Sequence, residues 1–143
     1  MQSKEDRLLN QIALGWVMIL LMEVIMLLFG TIDSILMDNN FYSLRMDPGQ
    51  SLNWMVYLVA AKALMPIYVH SVHEMKWRAL RWVAVAMAAA TFVFYLLHHL
   101  SHWQYGQRPN FSSHVVDLLI EIIALWVIVG SVRWAKAARQ DAA

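Results

Sequence analysis

Four apolar runs, about Gln11–Ile32, Asn53–His70, Leu80–Leu100 and His114–Val132, constrain this chain more than any other feature. Each approaches or reaches the roughly 20 residues that an α-helix needs to cross the hydrocarbon core of a bilayer. In hydrocarbon each backbone N–H and C=O must find its partner within the protein, and a helix does this inside one segment. The sequence therefore predicts an all-α, polytopic integral membrane protein, a single domain of four transmembrane helices in an antiparallel bundle. Turn-forming residues fall between the runs, in MDPGQS and YGQRPNFSS. Composition agrees, with 60% hydrophobic and 15% charged residues and a mean hydropathy of +0.49. Soluble domains are nearer half apolar and a quarter charged. The first run lacks an A-x-A-like cleavage site and reads as a retained span rather than a signal peptide. The absence of cysteine excludes disulfides and thiolate metal sites. A net charge of +1 gives no reason to expect a nucleic-acid partner.

The basic residues set an orientation, because cytoplasmic loops carry the excess of Lys and Arg. Lys4 and Arg7, then Lys76, Arg78 and Arg81, then Arg133, Lys136 and Arg139 all fall on one side of the four-span arrangement. The other side holds only Arg45 and Arg108, beside Asp33, Asp38 and Asp47. Both termini are expected in the cytoplasm, with the first and third connections in the periplasm of a bacterial inner membrane. Trp54 and Trp103 would mark the outer interface, and Trp77, Trp82 and Trp134 the inner one. The first connection could hold a short interfacial helix around SILMDNNFYSLRM, or be a polar loop on the membrane surface.

Ionisable groups inside spans are costly, and they usually face the protein interior with a partner. Glu23 lies in the first run, Lys62 in the second, and Asp117 and Glu121 in the fourth. At a helical rise of about 1.5 Å per residue, Glu23, Lys62 and Glu121 share a layer roughly 10–14 Å below the outer surface. A buried ion cluster that only fixes helix register would account for this. A proton path would account for it equally, and Pro66 should kink the second helix one turn below Lys62.

The stretch FYLLHHLSHWQYGQRPNFSSHVVDLLIE, Phe94 to Glu121, is unusual among the apolar runs. Neighbours on a helix face lie three or four residues apart. Tyr95, His99 and His102 follow that spacing in the third run, and His114, Asp117 and Glu121 follow it in the fourth. Across an antiparallel hairpin the residue numbers of facing positions add to a constant. His102 with His114, His99 with Asp117, and Tyr95 with Glu121 share one such value. His98 falls at the edge of this stripe and is expected to look elsewhere, or to serve as an additional ligand. Three imidazoles and a carboxylate make a ligand set suited to copper, iron or zinc. The expected metal ligands are therefore His99, His102, His114 and Asp117. Tyr95, Glu121, Glu23 and Lys62 would lie one layer deeper, as a second shell or a proton path. A haem b held by His99 and His114, or no cofactor at all, are the alternatives.

Other features read more plainly. Met18, Met22 and Met26 form a stripe best understood as flexible packing. His70 and His73 are expected to be solvated or against lipid phosphate. The run Ala84 to Thr91 supplies small residues for close helix contact. The spacing His98-x3-His102-x11-His114 resembles the Asp-x3-His-x12-His site in the C subunit of copper membrane monooxygenases. The first ligand differs, the gap is one residue shorter, and only the hairpin is covered. The expected partners are the lipid bilayer and other membrane-protein subunits or further copies of the chain. In that setting the protein would be a subunit of a redox or metal-handling complex. A non-catalytic accessory subunit, or a small proton-coupled transporter using Glu23, Lys62 and Glu121, are the competing functional readings.

Overall fold

The computed structural model describes residues 3–37, 59–75, 77–104 and 111–140, with side chains over 3–28, 59–75, 77–100 and 114–137. Among the described residues every regular element is helical. They are α1 (Lys4–Met37), α2 (Met65–Glu74), a 3-10 turn (Arg78–Leu80), α3 (Arg81–Gln104) and α4 (Phe111–Gln140). Three helices are long and apolar enough to cross a membrane, over Lys4–Leu28, Arg78–Leu100 and His114–Ala137. The second expected run is helical over 59–63 and again in α2, while its first part, 53–58, lies outside the described residues. So do Trp54 and most of the first connection, although α1 itself continues past Ile32 to Met37.

Helix α1 begins with a reciprocal cap. The Ser3 amide donates to Asp6 Oδ2 and the Asp6 amide to Ser3 Oγ, both at 3.0 Å. This exchange satisfies two of the amide groups that a helix start leaves without partners. The buried side chains of α1 are Leu9, Ile12, Trp16, Ile19 and Glu23, alternately three and four apart. Helix α3 buries Arg81, Ala84, Ala88, Thr91 and Tyr95 at the same intervals. Helix α4 continues the pattern with Asp117, Ile120, Ala124, Val127, Ser131 and Trp134. A seam repeating every three to four residues is the one that lets two helices interdigitate along their length.

Helix α4 packs against both α1 and α3, which is why its buried face also takes in Val116, Glu121, Ile123 and Ala135. Ala84, Ala88 and Thr91 keep α3 narrow where it meets its neighbours. The outward faces carry Leu14, Leu21 and Leu28 of α1, Leu97 of α3 and Ile122 of α4, all exposed and apolar. Met18, Met22 and Met26 pack against the core, as their stripe indicated. Trp77 and Trp82 are exposed, whereas Trp16 and Trp134 are fully buried. Trp134 falls on the α4 seam and turns inward.

The second helical segment is interrupted at Leu64, two residues after Lys62. Pro66 has no N–H, so the Lys62 carbonyl loses its partner one turn along. The helical path is carried across the break by Leu64 N–H to the Ala60 carbonyl (3.2 Å) and Tyr68 N–H to the Leu64 carbonyl (2.8 Å). After α2 the chain turns sharply, and the Tyr68 hydroxyl donates to the Leu80 carbonyl at 2.8 Å, tying the turn back onto α2.

Gly15 of α1 packs directly against α4. A Cβ there would collide with Val127 Cγ2 and lie 3.3 Å from the Trp126 ring. Gly130 faces Ile12 with more room, its Cβ falling 3.2 Å from Cγ1. Gly15→Ala should destabilise the protein by about 1–3 kcal/mol through overpacking. Gly130→Ala should change stability by less, since about 1 kcal/mol of helix propensity offsets a milder contact. Thermal unfolding of both variants in detergent measures the difference.

Candidate functional site: a polar seam between apolar helices

The heptad-like seam places ionisable residues where a core would ordinarily hold Leu or Ile, and they form three groups. The deepest joins three segments. Lys62 Nζ makes a buried ion pair with Glu23 Oε1, and the Tyr95 hydroxyl donates to the same oxygen at 2.6 Å. The ammonium also lies over two rings, 5.0 Å from the centre of Tyr95 and 5.8 Å from that of Phe94. Relative exposures are 2% for Glu23, 4% for Lys62 and 3% for Tyr95, so water contributes little to solvating these charges. Among the described residues Glu23 Oε2 has no hydrogen-bond partner. The sequence expectation that Glu23 and Lys62 share a layer holds, and their pairing is direct.

The second group is the histidine end of α3 and α4. His99 Nδ1 lies 2.9 Å from Glu121 Oε1. His98 Nδ1 lies 3.4 Å from Asp117 Oδ2, an ion-pair distance, while Asp117 is fully buried. The rings of His99 and His114 are 5.0 Å apart and tilted by 40°. Phe94 stacks against His98 at 6.5 Å and meets Tyr95 edge-on at 5.3 Å. His102 belongs to α3, but its side chain lies outside the described residues, as does that of Trp103.

These partners differ from the pairing expected along the hairpin. His99 meets Glu121 instead of Asp117, and Tyr95 reaches Glu23 instead of Glu121. His98 turns towards Asp117 rather than away from the seam. The backbone register is nevertheless close to the expected one, since Arg81 meets Trp134 and His98 meets Asp117. The difference comes from the side chains, because every Cα–Cβ bond on a helix leans towards its N-terminus. On α3 that lean carries His99 and Tyr95 deeper, and on α4 it carries Glu121 back towards the histidines. On this hairpin His99 therefore meets a partner about one turn from the position level with its own backbone.

Among the described residues no three His, Asp or Glu side chains are grouped so as to hold a metal ion. What is brought together is a histidine pair, His99 and His114, with a carboxylate on His99 Nδ1. A carboxylate on one ring nitrogen fixes the tautomer and presents the other nitrogen, Nε2, as the lone-pair donor.

The third group lies at the opposite end of the helices and was not anticipated. Arg81 is buried, with Nη1 2.5 Å from Glu5 Oε1 and donating to the Trp134 carbonyl at 3.1 Å. Its guanidinium stacks 4.7 Å above the Trp134 ring. His73 Nδ1 lies 3.5 Å from Glu5 Oε1 and its Nε2 3.7 Å from Asp6 Oδ1. The expectation that His73 is solvated or on lipid phosphate is thus corrected: two carboxylates of the α1 start face it. His70 is exposed, with Nδ1 2.8 Å from the Pro66 carbonyl. The signal for Arg81 was available, because it lies three residues before Ala84 on the seam of α3.

No protein-family model matches this chain, nor does any curated protein or solved structure.

Removing one member of a buried ion pair strands the other charge. Lys62→Met alone should destabilise by about 3–5 kcal/mol. Glu23→Leu combined with Lys62→Met should recover most of that loss, since neither charge then remains. A double-mutant cycle by thermal unfolding in detergent checks this, with additive effects counting against a coupled pair.

Proposed function

We propose that this chain is a four-span integral membrane protein that holds a transition-metal ion near its periplasmic end. The four helices form an antiparallel bundle with both termini in the cytoplasm of a bacterial inner membrane. The protein serves as a subunit of a larger redox or metal-handling assembly. The ligands are His99 and His114, with His102 one turn further along α3 and Asp117 completing the set. Glu121 orients His99 through Nδ1.

One observation carries this reading, the 5.0 Å separation of the His99 and His114 rings. Two imidazoles bound to one tetrahedral ion, at metal–nitrogen distances of about 2.0–2.1 Å, put their ring centres about 5 Å apart. Two imidazoles on opposite faces of a haem iron would stand farther apart, about 6 Å, so the spacing favours a bare ion over haem. The Nδ1 contact to Glu121 adds support, since metal-bound histidines almost always pass their second nitrogen to a carboxylate, carbonyl or water. Copper, iron and zinc all accept such a nitrogen-rich set. The apolar outward faces of α1, α3 and α4 provide surface for lipid and for neighbouring subunits.

Metal analysis of protein purified in mild detergent tests the reading. Wild type should carry close to one ion per chain, and His99→Ala/His114→Ala should carry almost none. Equal metal in both would overturn the proposal and leave the accessory-subunit reading. Glu121→Gln should keep the ligands but weaken metal affinity about 10–100-fold, measured by chelator competition.

A further inference from the structure

The Glu23, Lys62 and Tyr95 cluster has no part in the metal reading, and its chemistry goes beyond a structural clamp. Two other segments each deliver one protonatable group to a single carboxylate oxygen of α1. Glu23 Oε1 takes both the Lys62 ammonium and the Tyr95 hydroxyl. Its other oxygen, Oε2, is buried and has no hydrogen-bond partner among the described residues. A carboxylate that served only to neutralise Lys62 would be expected to have both oxygens satisfied, because a buried orphan acceptor costs about 1–3 kcal/mol. The ammonium in turn is held partly by ring faces, a weaker substitute for water.

The backbone beside this cluster is also irregular. The helical segment breaks at Leu64, and Pro66 leaves the Lys62 carbonyl without its usual partner. In membrane proteins such breaks, placed next to a buried ionisable residue, are the arrangement from which coupling sites for protons and small cations are built. The charge balance permits exchange. Transfer of a proton from Lys62 Nζ to Glu23 breaks an N–H bond and forms an O–H bond. An ion pair becomes a neutral amine beside a neutral acid, with no change in net charge. From α4, Asp117 interacts electrostatically with the Tyr95 hydroxyl.

We propose that the Glu23–Lys62–Tyr95 cluster is a proton-exchange site through which the protein carries protons across the bilayer. The occupant is a proton, Glu23 is the group that takes it up, and Lys62 is its exchange partner. Tyr95 positions the carboxylate oxygen. This site is separate from the histidine pair and does not depend on a metal ion.

The test uses the full chain reconstituted into vesicles with an entrapped pH-sensitive dye and a potassium gradient set by valinomycin. Wild type should move protons in response to the imposed potential, faster than protein-free vesicles do. Glu23→Gln should lose the flux, and Lys62→Arg should lose most of it, because a guanidinium keeps the charge but does not release its proton. Tyr95→Phe, which keeps the ring and removes only the hydroxyl, should slow it. Its role decides the matter if Glu23→Gln fails to fold. Wild-type flux no greater than that of empty vesicles would overturn the proposal. So would undiminished flux in a folded Glu23→Gln protein or, where that variant does not fold, in Tyr95→Phe. The His99→Ala/His114→Ala protein should keep its proton flux, so failure of the metal reading and failure of this one are read separately.

Discussion

A carboxylate inside an apolar helix seam dictates what may stand next to it. Glu23 occupies the position that follows Leu9, Ile12, Trp16 and Ile19 on the buried stripe of α1. Lipid tails are as apolar as leucine, so helix association in a membrane gains little from hiding hydrophobic surface. Specific contacts then carry more of the burden of choosing one arrangement over another. Glu23 makes that choice for three segments together, because Lys62 and Tyr95 can reach it only when the second segment lies beside α1 and α3 stands in register with both. A slip of a single turn on any of them would leave a charge or a hydroxyl facing hydrocarbon.

The rest of the polar seam is arranged around that fixed point. One turn along α3 from Tyr95 stand His98 and His99, each facing a carboxylate of α4. At the far end Arg81 performs the corresponding task, with Glu5 and the Trp134 carbonyl as its partners. Between the two ends lies a stretch filled by Trp16, Ile19, Ala88, Ala124 and Val127. The helices are thus held by polar contacts near both ends and by close packing of small and large side chains in the middle.

Much of this was readable in the sequence, and the unread part has a definite cause. The apolar runs, the Met stripe and the shared layer of Glu23 and Lys62 all follow from length and from spacings of three and four. The facing partners on the hairpin did not follow, because an index sum compares backbone heights and ignores the lean of the side chain. Histidine, tyrosine and glutamate are long enough for that lean to move them about one turn. In the sequence Arg81 counts only among the basic residues that set the orientation, and His73 as a group in water or on lipid phosphate. The seam spacing of α3 begins at Arg81, and counting it back from Tyr95 would have placed the guanidinium inside. The His102 side chain, and the first connection from 38 onward, lie outside the described residues.

The order of the groups along the chain has a consequence for assembly. Glu23 precedes Lys62 by 39 residues and Tyr95 by 72. In a protein made from its N-terminus and inserted span by span, the carboxylate enters the bilayer before either partner has been synthesised. Insertion scales put the cost of a lone charge at a helix centre at about 2.5–3.5 kcal/mol, and each Leu, Ile, Phe or Val contributes about 0.3–0.6 kcal/mol in the opposite direction. The Leu and Ile residues on both sides of Glu23 are enough to take it in unaccompanied. The abundance of Leu and Val on the outer face of α1 is then a requirement of the first moments of the protein's existence as much as of its finished form.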